Sequence, residues 1–309
     1  MKKYLKTNRI VTKTSLISAT SFKNFLLKDP VIDYLKFTSA NISTSTSKST
    51  STNVNTFTNF LFEEGIKFEN IVIEKIKENH KNNFIQICDN TNYHDLNNFK
   101  KTVDIINKNI PIIYQGMLIN EENSTYGIPD LLILSTYINN IFPNTIEENE
   151  FFINDKPYYF VIEIKNSTIK LDSKKKYVLN SGNLVVYKGQ LYIYNQALNN
   201  ILKINNTKTF ILGKQSQTKL CLVDFDIDNN YDKLISEGIK WFNQLETNGK
   251  KWKLFPKPSH PNLYPNMKNT KDNEWRTIKN DLAEKMGELT SIWNVGIKNR
   301  EIAHKKKNI

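Results

Sequence analysis

The sequence predicts an α/β fold with a mixed central β-sheet flanked by helices. Apolar runs of strand length, rich in Val, Ile and Phe, alternate with longer segments whose apolar residues recur at helical spacing. Helices come first, followed by three strands, a helix, two strands and a helix, and this order favours one sheet with helices on its faces. The predicted strands lie at 111–119, 130–135, 158–170, 208–213 and 219–226, and the predicted helices at 21–37, 59–79, 95–109, 185–202 and 231–245.

The N-terminal part of the chain predicts packed helices separated by a polar loop. In the segment 21–37 the apolar positions include Phe22, Val31 and Tyr34, which are spaced as on the buried side of a helix. The tract TSANISTSTSKSTSTNVNT that follows is too rich in Ser, Thr and Asn to be buried. We therefore expect a disordered loop over 38–58.

These elements predict one large domain over residues 1–248. The segment 249–272 contains Pro256, Pro258, Pro261 and Pro265, which restrict the backbone and lack an amide donor. A linker without regular structure is therefore expected there. A small helical module is predicted over 273–309.

The composition limits the classes of protein and partner. The chain of 309 residues carries a formal net charge of +12, which favours a polyanionic partner such as nucleic acid but is also compatible with an anionic membrane surface. The two cysteines, Cys88 and Cys221, support neither a disulfide framework nor a cysteine-rich metal cluster, and both are expected in the core of a protein from a reducing compartment. No apolar run approaches the ~20 residues of a membrane helix, so we expect an intracellular protein with no membrane partner.

Two carboxylates and a lysine occur where a sheet can bring them together. Asp130 follows Pro129 and begins an apolar strand, while Glu163 and Lys165 lie two residues apart in the next strand. Residues two apart in a strand project from the same face, so an acid and a base stand side by side. Pairing of the two strands would bring both carboxylates to one edge of the sheet.

The order Pro-Asp followed by Glu-x-Lys resembles the PD-(D/E)xK nuclease superfamily, and within it the RecB-type nucleases. Glu69, in the long helix, corresponds to the acidic residue that this family places before its core strands, and Gln115 with Gly116 precedes the Pro-Asp pair as in RecB-like proteins. Gln190 and Tyr194 match the Q-x-x-x-Y signature of the following helix, where a spacing of four places both side chains on one face. The resemblance covers roughly residues 15–248 and implies a restriction-endonuclease-like core.

This resemblance implies a metal-dependent deoxyribonuclease, exonuclease-like and of RecB type, with Mg²⁺ or Mn²⁺ as cofactor. Phosphodiester cleavage requires an oriented water and neutralisation of charge on the phosphoryl group, and Mg²⁺, which takes oxygen ligands, meets both needs. Asp130, Glu163 and Glu69 are the candidate carboxylate ligands, and the backbone carbonyl of Ile164 is a further one. Lys165 is expected to stay protonated beside these carboxylates and to orient the attacking water.

Gln190 and Tyr194 are expected to hold the scissile phosphate or to support the ligand carboxylates through hydrogen bonds. Each candidate also has an ordinary structural explanation. Pro-Asp is typical of a turn or a strand start, Glu69 could border an amphipathic helix, and Gln190 with Tyr194 could form an ordinary helix face. Their occurrence together and in this order favours a shared site.

Candidate nucleic-acid contacts lie outside this cluster. Lys174 and Lys175 belong to a lysine-rich segment that could line a DNA path or form a solvated charged surface. Lys298 and Arg300 lie in the C-terminal module, which resembles a helix-hairpin-helix whose glycine turn presents backbone N–H groups to a phosphate, although Gly296 stands alone where two glycines are usual. The four tryptophans are expected to be core anchors rather than base-stacking platforms.

Three other functions are compatible with the sequence: a catalytically inactive nucleic-acid-binding module of the same fold, an interaction protein with an acidic partner, and a hydrolase of small phosphate esters. DNA is the expected partner. The chain lacks a G-x-x-x-x-G-K-[ST] phosphate-binding motif, so ATP-driven unwinding would come from a helicase or another replication or repair protein. Some RecB-like relatives carry an iron-sulfur cluster on four cysteines; none is expected here.

Overall fold

The computed structural model describes residues 16–43, 56–89, 95–215 and 219–307. The chain divides into two units. The first contains Glu64–Ile235 together with the segment that ends at Ser21, and the second contains Phe22–Glu63 and Ser236–Ile309. This division differs from the predicted one at 248, because the N-terminal helices group with the proline-rich segment and the C-terminal helices instead of with the sheet.

The described part of the chain contains both helices and strands, with helices grouped at its two ends. The helices are α1 (Lys23–Leu26), α2 (Val31–Ser43), α3 (Thr56–Asn79), α4 (Asn97–Asn107), α5 (Ile138–Ile141), α6 (Leu184–Leu202), α7 (Tyr231–Asn248), α8 (Arg276–Met286) and α9 (Ile297–Lys307). The strands are β1 (Ile17–Ser18), β2 (Phe84–Gln86), β3 (Ile112–Tyr114), β4 (Leu118–Asn120), β5 (Thr125–Gly127), β6 (Leu131–Leu134), β7 (Phe152–Ile153), β8 (Lys156–Pro157), β9 (Tyr159–Lys165), β10 (Lys208–Gly213) and β11 (Cys221–Asp224).

The first unit is built on a six-stranded sheet with the order β11-β10-β9-β6-β3-β2. Strand β9 runs parallel to β10 and β2 runs parallel to β3, whereas the other neighbours are antiparallel. The predicted mixed α/β architecture is therefore confirmed. Two smaller sheets, β1-β5-β4 and β7-β8, accompany it.

The central strand β9 is covered on both faces, which explains its nearly continuous apolar sequence. Phe160, Ile162 and Ile164 pack in a core cluster with residues of α3. The alternate residues Glu163 and Lys165 must then project from the opposite face, toward α6, which packs against β9, β4 and β5. The strand thus carries two charged side chains on a face that a helix covers.

The predicted strand at 111–119 is two strands in different sheets. The chain breaks at Gln115, whose φ of +52° lies in the left-handed region that non-glycine residues seldom adopt. The next residue, Gly116, has methyl groups of Thr102, Ile113 and Leu132 within 3.1–3.2 Å of where a Cβ would stand. The prediction of one continuous strand over 111–119 was therefore wrong. An apolar pattern in the sequence does not reveal a local reversal of the backbone.

The predicted polar loop differs from the structure at both of its ends. Helix α2 continues to Ser43 and α3 begins at Thr56, so both ends of the predicted loop at 38–58 are helical. Residues 44–55 of that loop lie outside the described residues. The short strands β2 and β5 were not predicted because three residues are too few to show alternation.

A buried charge network holds the second unit together. The Lys279 ammonium, which is fully buried, donates to Asp29 Oδ2 at 2.5 Å and to Asp272 Oδ2 at 2.7 Å. Asp29 also accepts hydrogen bonds from the Asn266 N–H and the Asn269 side chain. The segment predicted as a linker is therefore packed, although its only regular structure among the described residues is short 3-10 turns.

Both cysteines are buried and unpaired, as predicted. Within the described residues, no helix combines the length and the apolar character that crossing a membrane requires.

Replacement of Lys279 by Met is expected to lower the free energy of unfolding of the second unit by about 3–5 kcal/mol, because Asp29 and Asp272 would remain buried without their cation. Lys285→Met is the matched control: it breaks an exposed pair with Asp281 and should cost less than about 1 kcal/mol. Denaturant unfolding followed by tryptophan fluorescence reports on this unit, since all four tryptophans belong to it. Equal losses in both variants would contradict the role of the buried network.

Candidate active site

Asp130 lies where β6 and β9 stop pairing. The last backbone pair of these strands joins Leu131 to Ile162. Two residues further along β9, the Ile164 N–H donates to Asp130 Oδ2 at 2.6 Å, so a side-chain oxygen replaces the missing strand partner. On the other side, the backbone carbonyl of Asp130 accepts from the Gln115 N–H at 3.0 Å. The carboxylate is therefore fixed at the end of the sheet.

Glu163 and Lys165 form an ion pair beside Asp130. Lys165 Nζ lies 2.6 Å from Glu163 Oε1 and 5.4 Å from the centre of the Tyr187 ring of α6. Glu163 is only 4% exposed, and its second oxygen, Oε2, is buried without a hydrogen-bond partner. A buried carboxylate oxygen without a donor is costly, so this atom identifies a place where a cation or a donor would be stabilised.

Glu69 reaches the same region from α3. Its Oε1 accepts from the Tyr114 hydroxyl at 2.9 Å and from Gln115 Nε2 at 3.5 Å, and Gln115 Nε2 also donates to the Tyr114 oxygen at 3.0 Å. Gln115, which makes both of these contacts, has a left-handed backbone. Sparsely populated backbone conformations persist where the surroundings enforce them, and they are frequent at functional sites.

Burial and nearby charges shift the pKa values of Asp130, Glu69 and Lys165. Asp130 keeps some exposed surface, but burial, followed by the negative charges of Glu163 and Glu69, raises its pKa well above the ordinary value. Burial and the charge of Glu163 likewise raise the pKa of Glu69, against the hydrogen bond from Tyr114. Burial alone would lower the pKa of Lys165, but Glu163 and Asp130 raise it above the ordinary value, as predicted.

The backbone carbonyl of Ile164 points into the same region. In a β-strand the N–H and C=O groups of one residue face the same side, and the Ile164 N–H faces Asp130. This oxygen therefore adds to the carboxylate oxygens of Asp130, Glu163 and Glu69. All four predicted ligand residues are brought to one end of the sheet.

Among the described residues, no three His, Cys, Asp or Glu side chains are arranged to hold a metal ion as they stand. The reason is local: Asp130 Oδ2 is turned to the Ile164 N–H, and Glu163 Oε1 is turned to Lys165. The donor set nevertheless fits a hard divalent cation, since it consists of oxygens, carries three carboxylates to one ammonium, and includes the unpartnered Glu163 Oε2.

Helix α6 presents one face to this region. Tyr187, Gln190 and Tyr194 are spaced by three and four residues and so lie on one side of the helix. Gln190 and Tyr194 are both buried. The Tyr194 ring lies against Gly127, where a Cβ would collide with it, three residues before Asp130. Tyr194 therefore shapes the approach of the chain to Asp130 and does not present its ring to solvent.

Two aromatic residues of the candidate site were not predicted from the sequence. Tyr114 holds Glu69, and Tyr187 lies under the Lys165 ammonium. Tyr187 stands three residues before Gln190, on the face already predicted, so the helical spacing contained a signal for it. Tyr114 lies inside the predicted apolar strand at 111–119 and showed no such signal.

The four predicted nucleic-acid contacts have different environments. Lys174 and Lys175 are exposed in a turn of the first unit, and Lys298 is exposed in the first turn of α9. Arg300 is buried: its guanidinium lies 3.3 Å from Glu288 Oε1 and donates to the carbonyls of Tyr264 and Pro265. Its charge is used inside the unit, so its prediction as a DNA contact was wrong.

The helix-hairpin-helix expectation also needs correction. Helix α8 ends at Met286, with Gly287 in the left-handed conformation, and α9 begins at Ile297. A 3-10 turn, Leu289–Ser291, lies between them. A longer connection therefore replaces the tight glycine turn that was predicted at Gly296.

A scan against protein-family models produced no match for this chain, and a search of curated proteins produced none either. A functional assignment therefore depends on the chemistry and geometry of the site described above.

Replacement of Asp130 by Asn is expected to raise the thermal midpoint of the metal-free protein at pH 8. The raised pKa means that folding favours the protonated carboxyl, so ionised Asp130 destabilises the fold above its folded pKa and stops doing so as the pH falls below the ordinary pKa of Asp. The gain should therefore shrink when the pH is lowered from 8 toward 4. An Asn oxygen can still accept the Ile164 N–H.

Circular dichroism melts in chelator give the midpoint, and hydrogen exchange of β9 amides localises the effect to the first unit. Asp104→Asn, at an exposed position of α4, is the control and should change neither. A lower midpoint for Asp130→Asn at pH 8 would show that ionised Asp130 stabilises the fold.

Proposed function

We propose that this protein is a Mg²⁺- or Mn²⁺-dependent nuclease that hydrolyses phosphodiester bonds of DNA, with a restriction-endonuclease-like core of RecB type and exonuclease-like action. The observation that carries the proposal is the meeting of Asp130, Glu163, Glu69 and Lys165 at one end of a mixed sheet. Strongly perturbed carboxylates around a partly exposed cationic group are typical of catalytic sites.

The residues that would hold the metal are Asp130, Glu163, the Ile164 carbonyl and Glu69. When bound, a hard divalent ion polarises the phosphoryl group and lowers the pKa of a water ligand. The unpartnered Glu163 Oε2 and the raised pKa of Asp130 support this assignment. Burial and the neighbouring carboxylates raise that pKa, and a bound cation would stabilise both groups in their ionised form.

Lys165 orients the attacking water and stabilises the negative charge that develops on the phosphoryl group. Its raised pKa keeps it protonated at neutral pH, so it donates hydrogen bonds instead of acting as a free base. The Tyr187 ring below the ammonium adds a cation–π contact that limits its positions.

Tyr114 and Gln115 hold the Glu69 carboxylate, and Tyr194 supports the chain before Asp130. Gln190 lies between Tyr187 and Tyr194 on the same helix face, where it supports the carboxylates or the scissile phosphate. Outer hydrogen bonds of this kind fix the orientation of metal ligands.

DNA is proposed as the substrate because the chain carries a net charge of +12 and exposes Lys174 and Lys175 in the unit that contains the site. Cations on a protein surface bind phosphates without regard to sequence. A helicase or another replication or repair protein is the proposed source of strand separation.

Asp130→Asn and Glu163→Gln are each expected to lower metal-dependent DNA cleavage by at least about a hundredfold, because a ligand charge is lost, and Lys165→Met should have a similar effect. The measurement is product formation from end-labelled single-stranded, double-stranded and circular DNA with Mg²⁺, Mn²⁺ or chelator. Exposed residues supply matched controls: Asp104→Asn for the carboxylates and Lys170→Met for the lysine should cleave as the wild type does.

Retained metal-dependent cleavage in both carboxylate variants would refute the assignment. A wild-type protein that binds DNA in a salt-dependent manner, without cleavage under any metal, would instead identify the inactive binding module. One observation favours this second function: Glu163 Oε1 accepts a hydrogen bond from Lys165 and is not directed toward a metal site.

Tyr114→Phe is expected to raise the metal concentration for half-maximal cleavage roughly tenfold, because Glu69 loses the hydroxyl that orients it. Cleavage at saturating metal should change less. Tyr137→Phe provides a control, since its hydroxyl bonds His80 and Asn83 at another place in the first unit. An unchanged metal dependence would remove Glu69 from the ligand set.

A further inference from the structure

Trp293 is the most exposed large apolar side chain of those described, at 84%. The expectation that all four tryptophans are core anchors is right for Trp241, which is 1% exposed, and wrong for Trp293. The preceding residue, Ile292, is 55% exposed. Exposed clusters of this kind are unfavourable in water and frequently mark binding surfaces.

The backbone beneath Trp293 is fixed by hydrogen bonds. The Ile292 carbonyl accepts from the Val295 N–H at 3.2 Å and from Lys268 Nζ at 2.8 Å. Asn294 between them adopts the left-handed conformation, with φ at +57°. The indole therefore stands on a defined turn, so the backbone beneath it loses little freedom when a ligand binds.

Lys268 contacts this turn, and Lys298 follows Trp293 by five positions. The Lys268 ammonium is held at the carbonyl that precedes Trp293, and an ammonium has three donors, so it can bind that carbonyl and a phosphate together. Lys298 is exposed in the first turn of α9, and this helix carries five basic residues and a single acid, Glu301. The buried pair of Glu288 and Arg300 balances its own charge inside the unit.

A cleft of about 610 Å³ opens beside the turn, lined by Met267, Lys268 and Ile292 among others. Charged side chains of both signs also line it, Lys268 and Arg276 with Glu284 and Glu288, so it does not suit a purely apolar protein partner. Aromatic platforms flanked by lysines are the usual means of binding unpaired nucleic acid, since bases stack on the ring and the lysines contact the backbone. A duplex keeps its bases stacked inside and cannot use the indole in this way.

We propose that Trp293, Lys268 and Lys298 form a binding surface for an unpaired DNA strand, with Trp293 stacking on a base and the two lysines contacting phosphates. The surface belongs to the second unit and needs no metal ion. It therefore stands apart from the carboxylate site and can be tested without cleavage.

The test is the binding of a fluorescein-labelled 15-mer of deoxythymidine to the full chain in chelator at low salt, followed by anisotropy. Trp293→Ala should weaken binding roughly tenfold, whereas Trp293→Phe should retain most of the affinity. A duplex 15-mer should bind equally to all three proteins. Ile302→Ala, at a 53% exposed apolar position of α9, is the control and should bind as the wild type does.

Salt dependence separates the roles of the residues. Lys298→Gln should reduce the slope of log K against log salt by about 0.7, the value for one phosphate contact on a single strand, whereas Trp293→Ala should leave the slope unchanged. Thermal midpoints should stay constant, because both side chains are exposed.

Three results would overturn the proposal. They are wild-type affinity in Trp293→Ala, equal losses for the single strand and the duplex, and no binding of the oligonucleotide by the wild type at low salt. A change of sedimentation coefficient in Trp293→Ala without any DNA binding would assign the surface to contact with a second copy of the chain. This binding is measured in chelator and cleavage is measured with a divalent metal, so failure of the nuclease proposal and failure of this one give different results.

Discussion

The hydrogen bond from the Ile164 N–H to the Asp130 carboxylate is the contact on which the candidate site depends. It forms where β6 and β9 cease to pair, so that a side chain completes the hydrogen bonding of the central strand. Because Ile164 stands between Glu163 and Lys165, this one bond places Asp130 beside both of them. The ligand oxygens, the ammonium and the end of the sheet are thus positioned by the same strand geometry that forms the core.

The fold maintains an unfavourable arrangement of charge at this place. Burial and mutual repulsion raise the pKa values of Asp130 and Glu69, and one oxygen of Glu163 has no donor. Packing of β9 against α3 and α6 on its two faces compensates for this cost, since the apolar residues of the strand are buried almost completely. A site that binds a cation or a charged transition state would show this combination: an unfavourable arrangement of charge that is maintained by the packing of the rest of the fold.

Much of the first unit could be predicted from the sequence because its elements are long and their patterns are regular. The strand 208–213 and the helix near 185–202 are found almost as predicted, and Glu163 and Lys165 lie two apart in one apolar strand as predicted. The break at Gln115 was not predictable, since the methyl groups around Gly116 include those of Thr102 and Leu132, which lie in other elements of the fold.

Long-range packing also explains the errors in the second unit. The Tyr34 hydroxyl bonds the Trp252 carbonyl across 218 positions, which is why the N-terminal helices group with the C-terminal part of the chain. Arg300 is buried because Glu288 and two carbonyls receive its guanidinium, and Trp293 is exposed because its turn directs it away from the core. Sequence patterns alone do not distinguish these two outcomes.

The decisive measurement is isothermal titration of Mn²⁺ into the full chain in the absence of DNA, because it reports on the proposed cation site without cleavage. If Asp130, Glu163 and Glu69 form a divalent-cation site, the wild type binds Mn²⁺ and the double variant Asp130→Asn, Glu163→Gln loses at least about a hundredfold in affinity. Equal binding by both proteins, or no binding by the wild type, would contradict the claim.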